Sequence, residues 1–348
     1  TSLYNFSTED LMTTSNQLYR DSLVIDGLNV SNWDSSGVYD SLQSGGVSAI
    51  NATIATWENF SETLDAIKCW GPRFDRHGKL IVPVRTVDDI LMAKREGKTG
   101  IILGFQNASP IENDLDRLAI FHSLGVRVIQ VTYHERNLLG NGCYERRDDG
   151  LSNFGIDAVK EMNRLGILID LSHVGIRTTM ETIEVSEKPV ACTHANTKRY
   201  YDVPRNKAVD AVKLLAEKGG IVGATCITGF LKTGPKSTLA DYVEAIDDLV
   251  DLIGIDHVGI GTDFTQDQPE SFWLYISSQQ GTKYPAFRTD PNKVWAVNDP
   301  TFYPSELQAP DDLPRLADSL LHRGYSEEDV MKILGGNWMR LFGEVWKK

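Results

Sequence analysis

The sequence predicts a (β/α)8 barrel, an α/β fold in which eight parallel strands close into a ring surrounded by helices. Two observations predict it. Short apolar runs, of the kind that form strands buried on both faces, recur eight times at intervals of roughly 25 to 40 residues, with helix-like segments between them. Polar residues able to do chemistry cluster at the C-terminal ends of these runs, where such a barrel carries its site. A doubly wound open sheet is the alternative. It would prefer a glycine-rich phosphate loop after the first strand, and D-G-L-N-V-S-N-W is not one.

In chain order, residues 8–20 suggest a leading helix, and Leu23 to Val30 is the first strand. Val47 to Ala55 is the second, followed by a helix over residues 58–68. The polar stretch from Cys69 to Lys79 reads as a loop. Thr86 is placed to cap the next helix. Strand three is Thr99 to Asn107; a helix with Leu115, Leu118 and Ala119 at helical spacing leads to strand four, Val126 to Tyr133. A long polar crossing precedes a helix from Gly155 to Leu165. Strands five and six are I-L-I-D-L-S-H, ending at His173, and P-V-A-C-T-H, ending at His194. Gly219 to Ile227 is the seventh strand, Leu239 to Leu252 a helix, and Asp256 to Phe264 the eighth strand. Residues 265–310 show no clear period but carry Trp273, Tyr275, Tyr284, Phe287 and Trp295, which suggests a rim or lid. Two helices are expected over 313–342, the second capped at Ser326. Residues 1–348 are read as one domain with that insertion.

Composition bounds the function. Lys plus Arg number 35 against 48 Asp plus Glu, a net charge of -13, and nothing concentrates the basic residues, which argues against a nucleic-acid partner. No apolar run reaches the ~18 residues of a transmembrane helix, and the first ten residues lack a signal-peptide core. A cytoplasmic protein is the default expectation; a periplasmic or secreted chain with its leader removed would read the same. Of the four cysteines, Cys192 and Cys226 lie in apolar runs and read as buried thiols, while Cys69 and Cys143 lie in polar surroundings that permit a disulfide.

The strand ends supply the candidate site. His173 and His194 end successive strands, so two neutral imidazoles could reach one ion, and imidazole is a good zinc ligand. Hydrogen bonding to backbone or to an anion is the plainer role for the same pair. Asp263 ends G-I-G-T-D and could ligate a metal, shuttle a proton or bind an ammonium group, or simply cap the following loop. Arg205 could hold a carboxylate with both arms of its guanidinium, or form a surface ion pair. Asn29, Gln106, Tyr133 and His134 complete the mouth. Asp26 and Asp170 lie before the strand ends, where a structural pairing is the expected role.

With these residues in place, the chain resembles the membrane (renal) dipeptidase family of metallopeptidases over nearly its whole length. The resemblance rests on V-I-D-G at 24–27, L-G-V-R near Arg127, D-G-L-S at 149–152, D-L-S-H at 170–173, the T-H to V-P-R-N segment at 193–206, H-V-G-I-G-T-D-F at 257–264 and G-G-N-W-M-R-L-F at 335–342. It implies a (β/α)8 barrel with two bridged zinc ions. In its terms, His173 and His194 match the ligands of the second zinc. Arg205 matches the arginine for the substrate carboxylate, and Asp263 the aspartate near the catalytic water. Leu28 and Val30 match the His-x-Asp pair of the first zinc, Gln106 the bridging glutamate, and Tyr133 the histidine that holds the tetrahedral intermediate, with His134 next to it. The resemblance also implies a homodimer.

The departures remove both direct ligands of the first zinc and the shared carboxylate, so a binuclear centre is not expected. Three readings follow. One is a hydrolase of a small amide, lactam or ester bearing a carboxylate, with at most one zinc or other divalent ion on His173 and His194, completed by Gln106, Asp263, His134 or water. Another is a metal-free lyase, isomerase or decarboxylase, in which the histidines and Asp263 do acid–base work and Tyr133 donates to an oxyanion. The last is a non-catalytic small-molecule binding protein that retains the pocket. Leu28 and Val30 would make the floor of the mouth more apolar if they point inward, and Trp33, Trp57 and Trp70 either pack the barrel and rim or line an apolar pocket, which would fit a substrate with a ring or alkyl group.

Overall fold

The structure, a computed structural model, describes residues 17–277 and 301–346. Its strands are β1 (Ile25–Asn29), β2 (Ala49–Ala55), β3 (Ile81–Pro83), β4 (Thr99–Phe105), β5 (Val126–Gln130), β6 (Leu168–Asp170), β7 (Ala191–Cys192), β8 (Ile221–Ala224) and β9 (Val258–Ile260). Every pairing is parallel, and the order β2-β1-β9-β8-β7-β6-β5-β4 closes through β2–β4 into an eight-stranded barrel. β3 stands outside the ring and pairs only with the first half of β4.

The eight expected runs all become barrel strands, but shorter. Those leading to His173 and His194 keep only Leu168–Asp170 and Ala191–Cys192 in the ladder. β3 was not expected from the sequence. Three residues make too short a run to show a period.

The helices are α1 (Ser36–Ser44), α2 (Phe60–Lys68), α3 (Trp70–His77), α4 (Val87–Arg95), α5 (Asp116–Ser123), α6 (Asn153–Leu165), α7 (Ile176–Val185), α8 (Val209–Glu217), α9 (Leu239–Ile253), α10 (Glu270–Ser277), α11 (Leu313–Arg323), α12 (Glu327–Met331) and α13 (Asn337–Val345). Thr86 and Ser326 cap α4 and α12, each within a reciprocal capping box closed by an aspartate. The stretch expected as a loop over 69–79 is instead the helix α3. Its Gly71 and Pro72 fall in the first turn, where a missing N–H removes no internal hydrogen bond. Trp70 and Phe74, one turn apart, give it an apolar seam, and the buried Trp70 ring lies 5.5 Å from Trp33. Within 265–310 the structure adds the helix α10, built on the aromatic run S-F-W-L-Y-I. Tyr284, Phe287 and Trp295, and the leading-helix residues before 17, lie outside the described residues.

Two apolar clusters form the core. The larger lies between the strands and the surrounding helices. The smaller gathers Ile25, Ala49, Val128, Leu168, Ala191 and Ile221 with Trp338, Leu341 and Phe342 of α13. Trp338 plugs the closed end of the barrel, its indole N–H donating to the Ile260 carbonyl at 3.0 Å. Gly27 and Gly259 make room for it, since a Cβ on either would lie 2.6 or 2.5 Å from the indole. The stable end is thus filled by the C-terminal helix, and the C-terminal ends of the strands are left for the site.

Candidate active site

Asp170, the last residue of β6, organises the turns that carry both histidines. Its carboxylate accepts hydrogen bonds from the Ser172 amide (2.9 Å) and hydroxyl (2.6 Å) and from the Thr193 amide (2.9 Å) and hydroxyl (2.6 Å). His194 Nδ1 lies 2.8 Å from Thr193 Oγ1, and His194 Nε2 lies 2.8 Å from His173 Nε2. The network assigns the tautomers. The Thr193 hydroxyl gives its only proton to Asp170, so His194 Nδ1 must carry a proton and donate to Thr193. His194 Nε2 is then an acceptor and His173 Nε2 the donor. His173 Nδ1 is left as a bare acceptor, buried and without a partner among the described residues. Burial and the Arg205 guanidinium push both imidazoles well below the usual histidine range, so both are neutral.

Ring contacts extend this pair. Tyr133 stacks on His173 at 4.2 Å and on His134 at 4.0 Å, and His134 lies 4.6 Å from His173. Burial holds His134 down to about 3. Among the described residues the Tyr133 hydroxyl has no hydrogen-bond partner, and burial raises its pKa, so it stays a proton donor. His134 and Asp263 adopt left-handed backbone conformations, with φ of 59° and 61°, an arrangement that concentrates at functional sites. The Asp263 amide donates to the Leu28 carbonyl (3.1 Å), and its own carbonyl accepts from Tyr303 Oη (2.6 Å). Its carboxyl, 4.0 Å from His194 Nε2, is pushed up to about 7 by burial, against the opposing pull of Arg205.

Arg205 is not at the surface. It is fully buried, donating to the carbonyls of Ser172 (2.6 Å) and His194 (2.7 Å), with its Cζ 5.3 Å from the Phe230 ring. Among the described residues its buried Nε has no partner and no carboxylate pairs with the guanidinium. Gln106 donates from Nε2 to Thr53 Oγ1 (3.1 Å), while its buried Oε1 has no partner among the described residues. Asn29 is engaged locally, accepting from the Ser31 amide and donating to Asp26. Leu28 and Val30 are buried yet belong to neither apolar cluster. The four cysteines are free thiols, so Cys69 and Cys143 are not bridged.

Sequence reasoning expected only a structural pairing for Asp170 and passed over Thr193, which links it to His194. Asp170 and Thr193 set the histidine tautomers, and their signal was the polar residue repeated before each histidine in D-L-S-H and T-H. Tyr275 of α10 donates to Glu58 Oε1 (2.5 Å) and accepts from the Trp57 amide (3.1 Å); Trp57 in turn packs edge-on to Tyr133 at 5.1 Å. The 265–310 stretch therefore reaches the aromatic wall of the mouth through α10.

A family model described as membrane dipeptidase (peptidase family M19) matches residues 8–272 and 275–347. The chain belongs to the membrane dipeptidase family. A structure titled as an amidohydrolase from Pseudomonas aeruginosa shares 39% identity with it, with a TM-score of 0.91 over 96% of this chain and 99% of that one. The probable dipeptidase PvdM of the same organism shares the fold at 20% identity, with a TM-score of 0.81 over 98% of this chain and 99% of that one. Among curated proteins, dipeptidase tcpJ of Claviceps purpurea is 29% identical over 74% of this chain, and an uncharacterised dipeptidase of Schizosaccharomyces pombe is 32% identical over 52%. The chain spans 54% and 45% of those two relatives' own lengths.

As a family member the chain is divergent. Among the described residues no group of three or more His, Cys, Asp or Glu is arranged to hold a metal ion. The donor set does not fit a two-zinc centre, because Leu28, Val30 and Gln106 offer no anionic ligand. The histidine pair fits even one ion poorly as arranged. A ligating imidazole normally donates its other N–H to an acceptor, and His173 Nδ1 has none.

Proposed function

We propose that the chain hydrolyses a small amide, lactam or ester bearing a carboxylate, with at most one metal ion. One observation carries the reading. Arg205 is a fully buried guanidinium, satisfied only by two carbonyl groups and with an orphaned Nε, at the mouth of a barrel. A buried, incompletely bonded cation favours an anionic ligand, and the planar fork favours a carboxylate.

The chain's own residues supply the remaining chemistry. With the substrate carboxylate on Arg205, ionised Asp263 takes a proton from water as the water oxygen bonds to the carbonyl carbon. The Tyr133 hydroxyl donates to the oxygen that gains charge. Asp263 then passes the proton to the departing nitrogen or oxygen as the bond to carbon breaks, and it returns ionised. The Asp170–Thr193–His194–His173 chain fixes neutral imidazoles beside Asp263, so neither imidazole adds a positive charge to compete with Arg205 for the substrate. Gln106 Oε1 is a free acceptor for a substrate N–H. Any ion would be held through His173 and His194, and none of these steps uses it.

The test is turnover of a panel of small amides, lactams and esters, each with its carboxylate and as the carboxamide, alongside the D263N variant. Turnover confined to the carboxylates and abolished in D263N is expected. Equal rates on the carboxamides would refute the role of Arg205. Turnover only of lyase or isomerase substrates would replace hydrolysis with the metal-free alternative.

A further inference from the structure

A cavity of about 580 Å³ opens beside the mouth, between the 142–148 segment, the start of α7 and the 204–207 turn. Lys207 lines it and is 2% exposed. Its ammonium makes one hydrogen bond, to the Val174 carbonyl at 2.7 Å, which leaves two N–H groups. Among the described residues no carboxylate lies within ion-pairing distance of it.

The two acids lining the cavity are engaged elsewhere. Asp148 accepts from the Arg177 amide (2.6 Å) and from the Thr178 hydroxyl (2.6 Å), capping α7. Glu145 accepts from the amides of Arg136 (3.1 Å) and Arg146 (3.0 Å). Of the cations, Arg177 pairs with Glu181 and Lys198 with Asp202. Among the described residues, Lys207 inside and Arg146 at the rim make no ion pair. A buried ammonium with no counter-ion is expensive, so the cavity favours an anion. Val174, Ile176, Met180 and Pro204 make the rest of its wall apolar.

We propose that this cavity binds a free amphiphilic carboxylate, its charged head on Lys207 and its short alkyl or aryl tail against Ile176 and Met180. The site is separate from Arg205 and does not depend on the hydrolysis proposed above. Cys143, a partly buried free thiol lining the same cavity, reports on occupancy.

The experiment is peptide-resolved alkylation of Cys143 in the intact protein, with hexanoate, hexanol, hexylamine or inorganic phosphate present. Saturating hexanoate should slow the reaction about tenfold, as expected where an anion relieves a buried charge, while the other three should not. The protection should disappear in K207M. It should also disappear in M180E, which places a carboxylate within the cavity and serves if K207M does not fold. Protection that survives in K207M would place the carboxylate at Arg205 and overturn the proposal. Equal protection by hexanol would overturn the anion, equal protection by phosphate would overturn the apolar wall, and no protection by hexanoate would overturn the site.

Discussion

His173 and His194 face each other Nε2 to Nε2 at 2.8 Å, one donating a hydrogen bond to the other. The contact gives His173 a protonated Nε2 and leaves its Nδ1 a bare acceptor with no partner among the described residues. To ligate through Nε2, His173 would have to move its proton to Nδ1. An unsatisfied buried N–H there costs about 1–3 kcal/mol. Metal content should therefore not exceed one ion per chain. Elemental analysis of protein prepared without chelator, beside the H173A/H194A double variant, measures it. Two tightly held ions that survive gel filtration would contradict the donor set described here.

Arg205 joins the two histidine-bearing turns through the Ser172 and His194 carbonyls. R205K keeps the charge but not the fork. It should raise KM for a carboxylate substrate by about 30-fold or more, the scale of a broken charged pair, with a smaller fall in kcat. Stability should fall by about 1–3 kcal/mol, because one carbonyl loses its donor. An unchanged KM would remove Arg205 from substrate binding.

Thr193 links Asp170 to His194 through one hydroxyl. T193V preserves shape but leaves His194 Nδ1–H without its acceptor and frees the tautomer. A fall in kcat of about tenfold, a nearly constant KM and a stability loss of about 1–3 kcal/mol are expected. T193S should restore both. Loss of stability with kcat intact would make the link purely structural.

Asp26 repeats this design on the opposite side of the barrel, accepting from the Thr262 amide (2.8 Å) and hydroxyl (2.6 Å). Burial pushes its carboxyl up from 3.8 to about 6, against those hydrogen bonds. A raised pKa in the folded state means that the fold favours the protonated form. The contribution is full below about pH 4 and is lost as pH rises to about 6, a change of about 3 kcal/mol. In urea titrations across that window, wild type should lose stability relative to D26N as pH rises. A relative slope of the opposite sign would show that hydrogen bonding, not burial, dominates this carboxylate.

The eight barrel strands were legible because parallel strands buried on both faces must be apolar throughout, and their spacing leaves room for one helix each. Thr86 and Ser326 were legible as caps because a capping box is local. α3 was hidden, since Gly71, Pro72 and several charges outweigh Trp70 and Phe74 in any local reading, and only packing against Trp33 shows what the helix is for. Among the site residues, His173, His194, Arg205 and Asp263 could be named because strand ends converge on one mouth. How they are bonded could not be.

By itself, the sequence determined the barrel, the family likeness and the lack of a metal-binding side chain at Leu28 and Val30 and of a carboxylate at Gln106, because residue type at a strand end is a local property. Tertiary structure decided that the two histidines bond each other, that Asp170 and Thr193 choose their tautomers, and that Arg205 and Lys207 are buried without carboxylate partners among the described residues. Those facts depend on which atoms from distant segments meet away from water, where an unpaired charge or a misplaced proton carries its full energetic weight.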